Sequence, residues 1–210
     1  MVQNNMKKTF VSNSRESTRI FRSGFLEKFS KVHYSVPLIV FIPVIAFFIY
    51  RAFAVYHNSV LEFVVSGAAG LLVWTFTEYV MHRFVFHYEP SSAWGKRIHF
   101  LSHGVHHDYP NDEMRLVLPP AVSIPLATLF YFLFYAVLPA AYLPAFFATF
   151  IAGYVFYDIS HYALHHANFK SRIWKKLKQH HMQHHYSDAT KGYGVSSALW
   201  DKIFRSDFEK

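Results

Sequence analysis

Four long apolar stretches set the main constraint on how this chain can fold. They cover residues 36–56, 60–81, 116–138 and 141–160. Each approaches the roughly 20 residues that a helix needs to cross the hydrocarbon core of a bilayer. Inside lipid, every backbone N–H and C=O group must be paired within the protein, so these stretches should be helices. The sequence therefore predicts an all-α integral membrane protein with four transmembrane helices.

The connections between these stretches predict two helical hairpins. Only residues 57–59 separate the first two stretches, and an uncharged segment around 139–144 separates the last two. Of the 21 lysines and arginines, seven lie in residues 1–34, four in 82–115 and nine from residue 170 onward. Because basic residues accumulate on the cytosolic side, both termini and the loop between the hairpins should be cytosolic.

Residues 1–34 are predicted to form a basic N-terminal segment outside the membrane domain, which occupies residues 35–210. Over residues 15–33, apolar side chains alternate with arginine and lysine. This pattern fits an amphipathic helix in the lipid headgroup layer, with a disordered basic leader as the alternative. The segment has no apolar core followed by a small-residue cleavage site, so we expect no cleaved signal peptide.

Ten of the 15 histidines fall into four groups that have the spacing of metal ligands. The groups are His82 and His87; His103, His106 and His107; His161 and His165; and His181, His184 and His185. Neutral imidazole is a common ligand of iron, zinc and copper. The chain has no cysteine, so imidazole and carboxylate are its only strong metal ligands. Ten imidazoles are more than one ion takes, and they predict a site for two metal ions.

The hairpin topology places all four groups on one side of the membrane. Residues 82–115 and 161–210 should both emerge in the cytosol and form a helical cap that holds the metals. On a helix, positions i, i+3 and i+4 share a face, so the histidines within each of the last three groups should converge. His82 and His87 differ, because five residues put them about 140° apart on a regular helix. Either the helix breaks after Arg83, or the two rings approach the site from different directions.

Two carboxylates at the base of this cap are candidates to hold ligand histidines. Asp158 and Glu78 lie about one helical turn before His161 and His82, respectively. A carboxylate at membrane depth is costly unless it is paired, and a hydrogen bond from a ring N–H would offset that cost and fix the ring.

The other charged and histidine residues near the cap are expected to have simpler roles. Arg115, Lys96 and Arg97 either bind an anionic headgroup or anchor the chain at the interface. The five histidines outside the four groups should be surface or packing residues, and they are His33, His57, His99, His166 and His180.

Whole segments of the chain resemble the fatty acid hydroxylase superfamily, a group of sterol desaturase-like membrane di-iron enzymes. The resemblance covers about residues 60–205 and is most evident for the fatty acid 2-hydroxylases. The segments that carry it are HRFVFH (82–87), HGVHHDYPNDEMRLVLPP (103–120), GYVFYDISHYALHH (153–166), HHMQHH (180–185) and KGYGVSSALWDKIF (191–204).

The resemblance implies a fatty acid hydroxylase, an oxidoreductase that uses dioxygen and acts as a di-iron monooxygenase. Its substrate would be a lipid acyl chain, hydroxylated at carbon 2 of a fatty acid or ceramide-type lipid. All ten histidines would then be ligands and catalytic residues, with two iron ions in the active enzyme. Imidazole sites also accept zinc, which lies above ferrous iron in the affinity order, so a purified sample can contain zinc.

The resemblance also bears on the source of electrons. Relatives in fungi and animals often carry an N-terminal haem domain that supplies electrons, whereas this chain has only about 35 residues before its first membrane stretch. We therefore expect a separate electron-donor protein. A bacterial cytoplasmic membrane is favoured over the endoplasmic reticulum as the location.

Two alternatives remain open at the level of sequence. One is a sterol or carotenoid hydroxylase or desaturase of the same superfamily, because pocket shape decides the substrate. The other is a membrane metal-binding or transport protein, although a transport path usually places ionisable ligands within the span. The net charge of +8 flanks apolar stretches, which favours a membrane surface over nucleic acid. The sequence carries no signal for oligomeric state.

Overall fold

The computed structural model describes residues 11–208, and helices are its only regular elements there. In chain order, the α-helices are α1 (Gly24–Ser30), α2 (Ser35–Tyr50), α3 (Val60–Val80), α4 (Ala93–His99), α5 (Val105–Asp108), α6 (Pro120–Val137), α7 (Leu143–His166), α8 (Arg172–Tyr186) and α9 (Leu199–Ile203). Three π-helical turns continue α2, α3 and α4, and they span Arg51–Val55, Met81–Phe86 and Phe100–Gly104. The predicted all-α fold is confirmed. Residues 1–10 of the predicted basic segment and residues 209–210 lie outside the described residues.

Four of these helices are long and apolar enough to cross a membrane. They are Ser35–Val55, Val60–Phe86, Pro120–Val137 and Leu143–His166. The prediction of four spans is confirmed, with differences at several boundaries. The third helix begins at Pro120 and not at residue 116, because Pro119 has extended backbone and proline is favoured in the first helical turn. The second and fourth helices run beyond their apolar stretches and carry histidines at their ends.

Helix α7 is the core of the bundle. In its apolar window 72% of residues are buried, against 11% or less in the other three spans. Phe147, Phe150 and Ile151 of α7 lie within the main cluster of buried apolar side chains. The other three spans pack around α7 and present most of their surface outward, which is the arrangement expected of a small bundle in lipid.

Close contact between α3 and α7 depends on glycine. A Cβ atom placed on Gly70 would lie 2.1 Å from the carbonyl oxygen of Phe146, so only a hydrogen fits there. One turn earlier, the Thr149 hydroxyl donates a hydrogen bond of 2.7 Å to the carbonyl oxygen of Gly67. Small residues and polar contacts of this kind are typical of helix packing in membranes.

The substitution Gly70→Ala should lower the stability of the bundle. The added methyl group must push α3 away from α7, and overpacking of this kind costs roughly 1–3 kcal/mol. The measurement is the midpoint of thermal unfolding in detergent, followed by circular dichroism. Gly24→Ala is the control, since a Cβ at Gly24 meets nothing within 4 Å. A midpoint unchanged by Gly70→Ala would contradict the close packing described above.

The N-terminal segment departs from the amphipathic helix expected over residues 15–33. Only α1 is helical in that range. The backbone N–H groups of Ile20 and Phe21 each donate a hydrogen bond of 3.0 Å to the Glu27 carboxylate. These amides are therefore engaged by a side chain and cannot continue a helix. Phe25 and Phe29 of α1 remain 70% and 59% exposed, which preserves an apolar face for the interface.

Arg115 fastens this N-terminal segment to the cap. Its guanidinium donates hydrogen bonds of 2.7 Å to the Glu27 carboxylate and to the Thr18 carbonyl, and one of 2.9 Å to the Ser30 hydroxyl. It also lies 3.3 Å from the Asp112 carboxylate, and its side chain is only 2% exposed. The headgroup-binding role considered for Arg115 is therefore wrong, because its donors face protein groups.

Candidate metal centre

The fold gathers the ten predicted histidines into two groups of five. Within each group, one ring nitrogen from every histidine lies within 4.8 Å of the others. Centre A consists of His82, His87, His103, His107 and His184. Centre B consists of His106, His161, His165, His181 and His185. Each centre can hold one metal ion, and no histidine outside the four predicted groups belongs to either.

Neighbouring histidines in the sequence go to different centres. On α8, His181 and His185 are four residues apart, share one face and belong to centre B, whereas His184 belongs to centre A. Adjacent helical positions are about 100° apart, which lets His184 and His185 face different points. In residues 103–107, His103 and His107 belong to centre A, whereas His106 belongs to centre B. The expectation that each triplet converges as a unit is thus corrected, and each triplet contributes histidines to both centres.

A π-helical turn brings His82 and His87 together. The backbone N–H of His87 donates to the carbonyl of His82 at 3.2 Å, which is the i to i+5 pattern of a π-helix. Residues five apart then lie nearly above one another, and the two Nε2 atoms are 3.2 Å apart. The helix does not break after Arg83 but widens into a π turn, so the first of the two sequence-based alternatives for this pair is wrong. The two rings are tilted by 47° and meet at their Nε2 atoms. Such π turns occur frequently at functional sites.

The spacing of the ring nitrogens fits ligands of a common ion. In centre A, the Nε2 atom of His103 lies 3.1 Å from that of His82, 3.1 Å from that of His87 and 2.9 Å from that of His107. Two nitrogens at right angles around an ion, each about 2.1 Å from it, are about 3.0 Å apart. In centre B, Nε2 atoms pair at 2.9 Å between His161 and His106, and at the same distance between His165 and His181.

Backbone carbonyls fix the tautomer of two rings in centre A. The Nδ1–H of His82 donates to the carbonyl oxygen of Tyr193 at 2.5 Å, and that of His184 donates to Lys191 at 2.6 Å. A neutral imidazole carries one N–H, so each Nε2 is left with a free lone pair. The lone pairs of His82 and His184 are thereby available to a cation held among the Nε2 atoms of centre A.

Burial favours the neutral form of seven histidines of the two centres, and neutral imidazole is the form that binds metals. Burial lowers the pKa of His87 to about 2, with the charges of neighbouring histidines as the next cause. Burial also lowers the pKa of His184 to about 4, although its bond to Lys191 acts in the opposite direction. Burial and crowding likewise place the pKa well below its usual value for His103, His106, His107, His181 and His185.

The two predicted carboxylates have different neighbours. Glu78 is 4% exposed and accepts hydrogen bonds from the backbone of Val195 and Ser196, so it contacts a loop and not a ring nitrogen. Asp158 lies beside Tyr154, and its Oδ2 atom has no hydrogen-bond partner within residues 11–208. Among the described residues, therefore, no ring N–H of either centre donates a hydrogen bond to Glu78 or Asp158.

An apolar cavity of about 260 Å³ reaches both centres. Near the cap it is lined by His103 of centre A and by His106 and His161 of centre B. Further into the bundle, its walls come from α6 and α7, with Ala127, Phe130, Phe150 and Ile151 among them. Ile20 and Phe21 of the N-terminal segment also line it.

A helical membrane bundle whose cap holds two five-histidine centres beside an apolar cavity defines a membrane metalloenzyme. Comparison with known proteins identifies the family. The family model for fatty acid hydroxylases matches residues 67–206, and this chain belongs to that family. The resemblance seen in the sequence is thereby confirmed.

Curated relatives and a solved structure agree with this assignment. The dihydroceramide fatty acyl 2-hydroxylase FAH1 of Arabidopsis thaliana is 40% identical over 192 residues, which cover 91% of this chain and 80% of the relative. The fatty acid 2-hydroxylase of Mus musculus is 37% identical, and the match covers 90% of this chain and 56% of that protein. The structure of full-length scs7p, with only the hydroxylase domain visible, has a TM-score of 0.83 at 37% identity, covering 88% and 70% of the respective chains.

Proposed function

We propose that this protein hydroxylates carbon 2 of the acyl chain of a fatty acid or ceramide-type lipid, with one iron ion in centre A and one in centre B. The observation that carries the proposal is the apolar cavity that reaches both centres. The names of the relatives support the same substrate class, since they include a dihydroceramide fatty acyl 2-hydroxylase and a fatty acid 2-hydroxylase. The ten histidines are then the metal ligands.

The cavity supports an acyl substrate because of its shape and lining. It extends along α7 from His161 to Phe150, and eleven residues of α-helix span about 16 Å. Its deep walls are aromatic and aliphatic, which suits a methylene chain and excludes water. The headgroup of a lipid held this way stays at the cap end. A carbon close to the headgroup then lies nearest the two centres, as hydroxylation at carbon 2 requires.

The chemistry divides between the metal ions and the chain. Bound iron supplies the capacity to activate dioxygen and attack an unactivated C–H bond. The chain holds the ring nitrogens in place through the carbonyls of Lys191 and Tyr193, keeps the rings neutral by burial, and orients the acyl chain. Conversion of C–H to C–OH with dioxygen also consumes two electrons and two protons and releases water.

Those electrons are proposed to come from a separate donor protein that docks on the cap. We further propose that the cap and both termini are cytosolic, because the basic residues lie on that side of the four spans. A bacterial cytoplasmic membrane is the proposed location, with the endoplasmic reticulum as the alternative. Sterol or carotenoid oxidation and metal transport have less support, because the relatives act on fatty acyl chains by name and the histidines lie at the helix ends.

The proposal is tested by elemental analysis of the purified protein, followed by turnover after reconstitution with iron. With a chemical or protein reductant and dioxygen, the iron-loaded protein should add one oxygen to a dihydroceramide or fatty acid, detected by mass spectrometry. Fragmentation of the product locates the hydroxyl group at carbon 2. The zinc-loaded protein is the control and should give no product. Oxidation of a sterol with no acyl product would favour the alternative substrate class.

A further inference from the structure

The loop of residues 191–196 is held by hydrogen bonds at five consecutive backbone amides. Gly192 N–H donates to the carbonyl of Ser206 at 2.8 Å. The next two amides donate to the Asp201 carboxylate at 2.9 and 2.7 Å, and the following two donate to Glu78 at 2.8 Å each. Both carboxylates are buried, with 0% exposure for Asp201 and 4% for Glu78. We call this element the clamped loop.

Glycine lets the loop adopt this path. Gly192 has a φ of +71°, which is the left-handed region that glycine enters without strain. A Cβ atom at Gly194 would lie 2.0 Å from the carbonyl oxygen of Ser197, so the backbone passes too close for any side chain. His180, on α8, places its Nε2 atom 3.3 Å from the Asp201 carboxylate and ties that helix to the same point.

The carbonyl groups of the clamped loop face centre A. Tyr193 accepts the Nδ1–H of His82 at 2.5 Å, and Lys191 accepts the Nδ1–H of His184 at 2.6 Å. Glu78 and Asp201 touch no ring of centre A, yet they hold the backbone that orients two of its five rings. Partners that hold the second nitrogen of a ligand histidine commonly change metal affinity by about 10- to 100-fold.

Centre B lacks an equivalent support among the described residues. The Nδ1 atoms of four of its rings are buried and have no hydrogen-bond partner within residues 11–208; they belong to His106, His161, His181 and His185. These four rings therefore lack, within residues 11–208, the carbonyl support that His82 and His184 receive. The two centres therefore have the same number of imidazoles and different degrees of preorganisation.

We propose that Glu78 and Asp201 are positioning residues that make centre A the tightly held metal site, and that the metal in centre B exchanges faster. The proposal rests on the dimetal function proposed above. It assigns a role to the segment KGYGVSS (191–197) that the spacing of the histidines does not suggest. Under this proposal, a change in the metal supply alters the occupancy of centre B, whereas centre A keeps its ion.

The first test follows metal release from the intact, detergent-purified protein after addition of a chelator. Two ions should leave the wild-type protein in two resolved phases. In His165→Ala, which lacks a ligand of centre B, the remaining ion should leave in the slow phase. In His107→Ala, which lacks a ligand of centre A, it should leave in the fast phase. The reverse assignment, or a single phase for both ions, would overturn the proposal.

The second test uses the carboxylates themselves. Glu78→Ala should speed the slow phase by about 10- to 100-fold and leave the fast phase unchanged. Glu78→Gln keeps an oxygen that can accept from Val195 and Ser196, so it should restore most of the slow release. Asp201→Asn, which presents an amide N–H to one loop amide, should also speed the slow phase. This variant provides a second reading if Glu78→Ala fails to fold.

A matched control is available in the same cap. Asp112 is a buried carboxylate, 1% exposed, that accepts the backbone N–H of Met114 and a hydrogen bond from Ser17. It contacts no part of the clamped loop, so Asp112→Asn should leave both release phases unchanged. If Glu78→Ala alters neither phase, or alters both equally, the positioning role is wrong. If the wild-type protein holds no metal, the proposed dimetal function fails instead.

Discussion

Replacing His107 with alanine should abolish hydroxylated product and remove one of the two metal ions. The Nε2 atom of His107 lies 2.9 Å from that of His103 in centre A, and its ring stacks on His185 of centre B with centroids 4.2 Å apart. The substitution therefore removes a ligand and disturbs the contact between the centres. Lipid product is measured by mass spectrometry, and metal content by elemental analysis of the same preparation.

Membrane insertion should be unaffected by His107→Ala, because His107 lies outside all four candidate spans. The matched control is His166→Ala. His166 adjoins a histidine of centre B in sequence but belongs to neither centre. This variant should retain both ions and the activity. Undiminished hydroxylation by His107→Ala, or loss of a metal ion in His166→Ala, would contradict the assignment of the ligands.

The four spans were predictable because the hydrophobic signal is local. A stretch of about 20 apolar residues has one structural solution in lipid, whatever its neighbours are. The first residue of α6 is likewise set by a local feature, the two adjacent prolines Pro119 and Pro120. For the N-terminal segment, the local pattern was misleading. Its amphipathic pattern predicted a helix over residues 15–33, but only Gly24–Ser30 is helical there. The contacts of Glu27 with Ile20 and Phe21 restrict it to α1, and such tertiary contacts are invisible in a local pattern.

The identities of the ten histidines were predictable, and their division between the centres was not. The centre that a histidine joins depends on the direction in which its side chain leaves the helix, and a fraction of a turn changes that direction. A single π-helical turn at residues 81–86 changes that phase and brings His87 beside His82. Sequence periodicity assumes a regular helix, so it placed these two rings about 140° apart.

The contacts of Glu78 also could not be predicted from the sequence. It was expected to pair with a histidine one turn away, but its partners, Val195 and Ser196, are 117 and 118 residues distant. The sequence did contain one relevant signal. Gly192 and Gly194 flank Tyr193, and two glycines so close together favour a backbone that passes near other groups. That signal marks a tight loop without saying which rings its carbonyls hold.

Substitution of Ala127 by phenylalanine should convert the enzyme into one that prefers short acyl chains. Ala127 lies on α6, lines the cavity and packs with the cluster that includes Phe150 and Ile151. A phenyl ring there takes the space of several methylene groups at the end remote from the histidines. Excluding about three methylenes at about 0.8 kcal/mol each costs about 2.4 kcal/mol, or about 60-fold in kcat/KM for long chains.

Short chains should keep most of their kcat/KM in this variant, because the histidine end of the cavity is untouched. Leu129→Phe is the control, since Leu129 lies two residues away on α6 and is 54% exposed on the outer surface of the bundle. The measurement is the ratio of kcat/KM for a long and a short acyl substrate, with metal content checked in each preparation. A ratio unchanged in Ala127→Phe would mean that the acyl chain does not enter the cavity between α6 and α7. A loss of activity on all chain lengths with metal retained would place the reacting end of the substrate, and not its tail, beside Ala127.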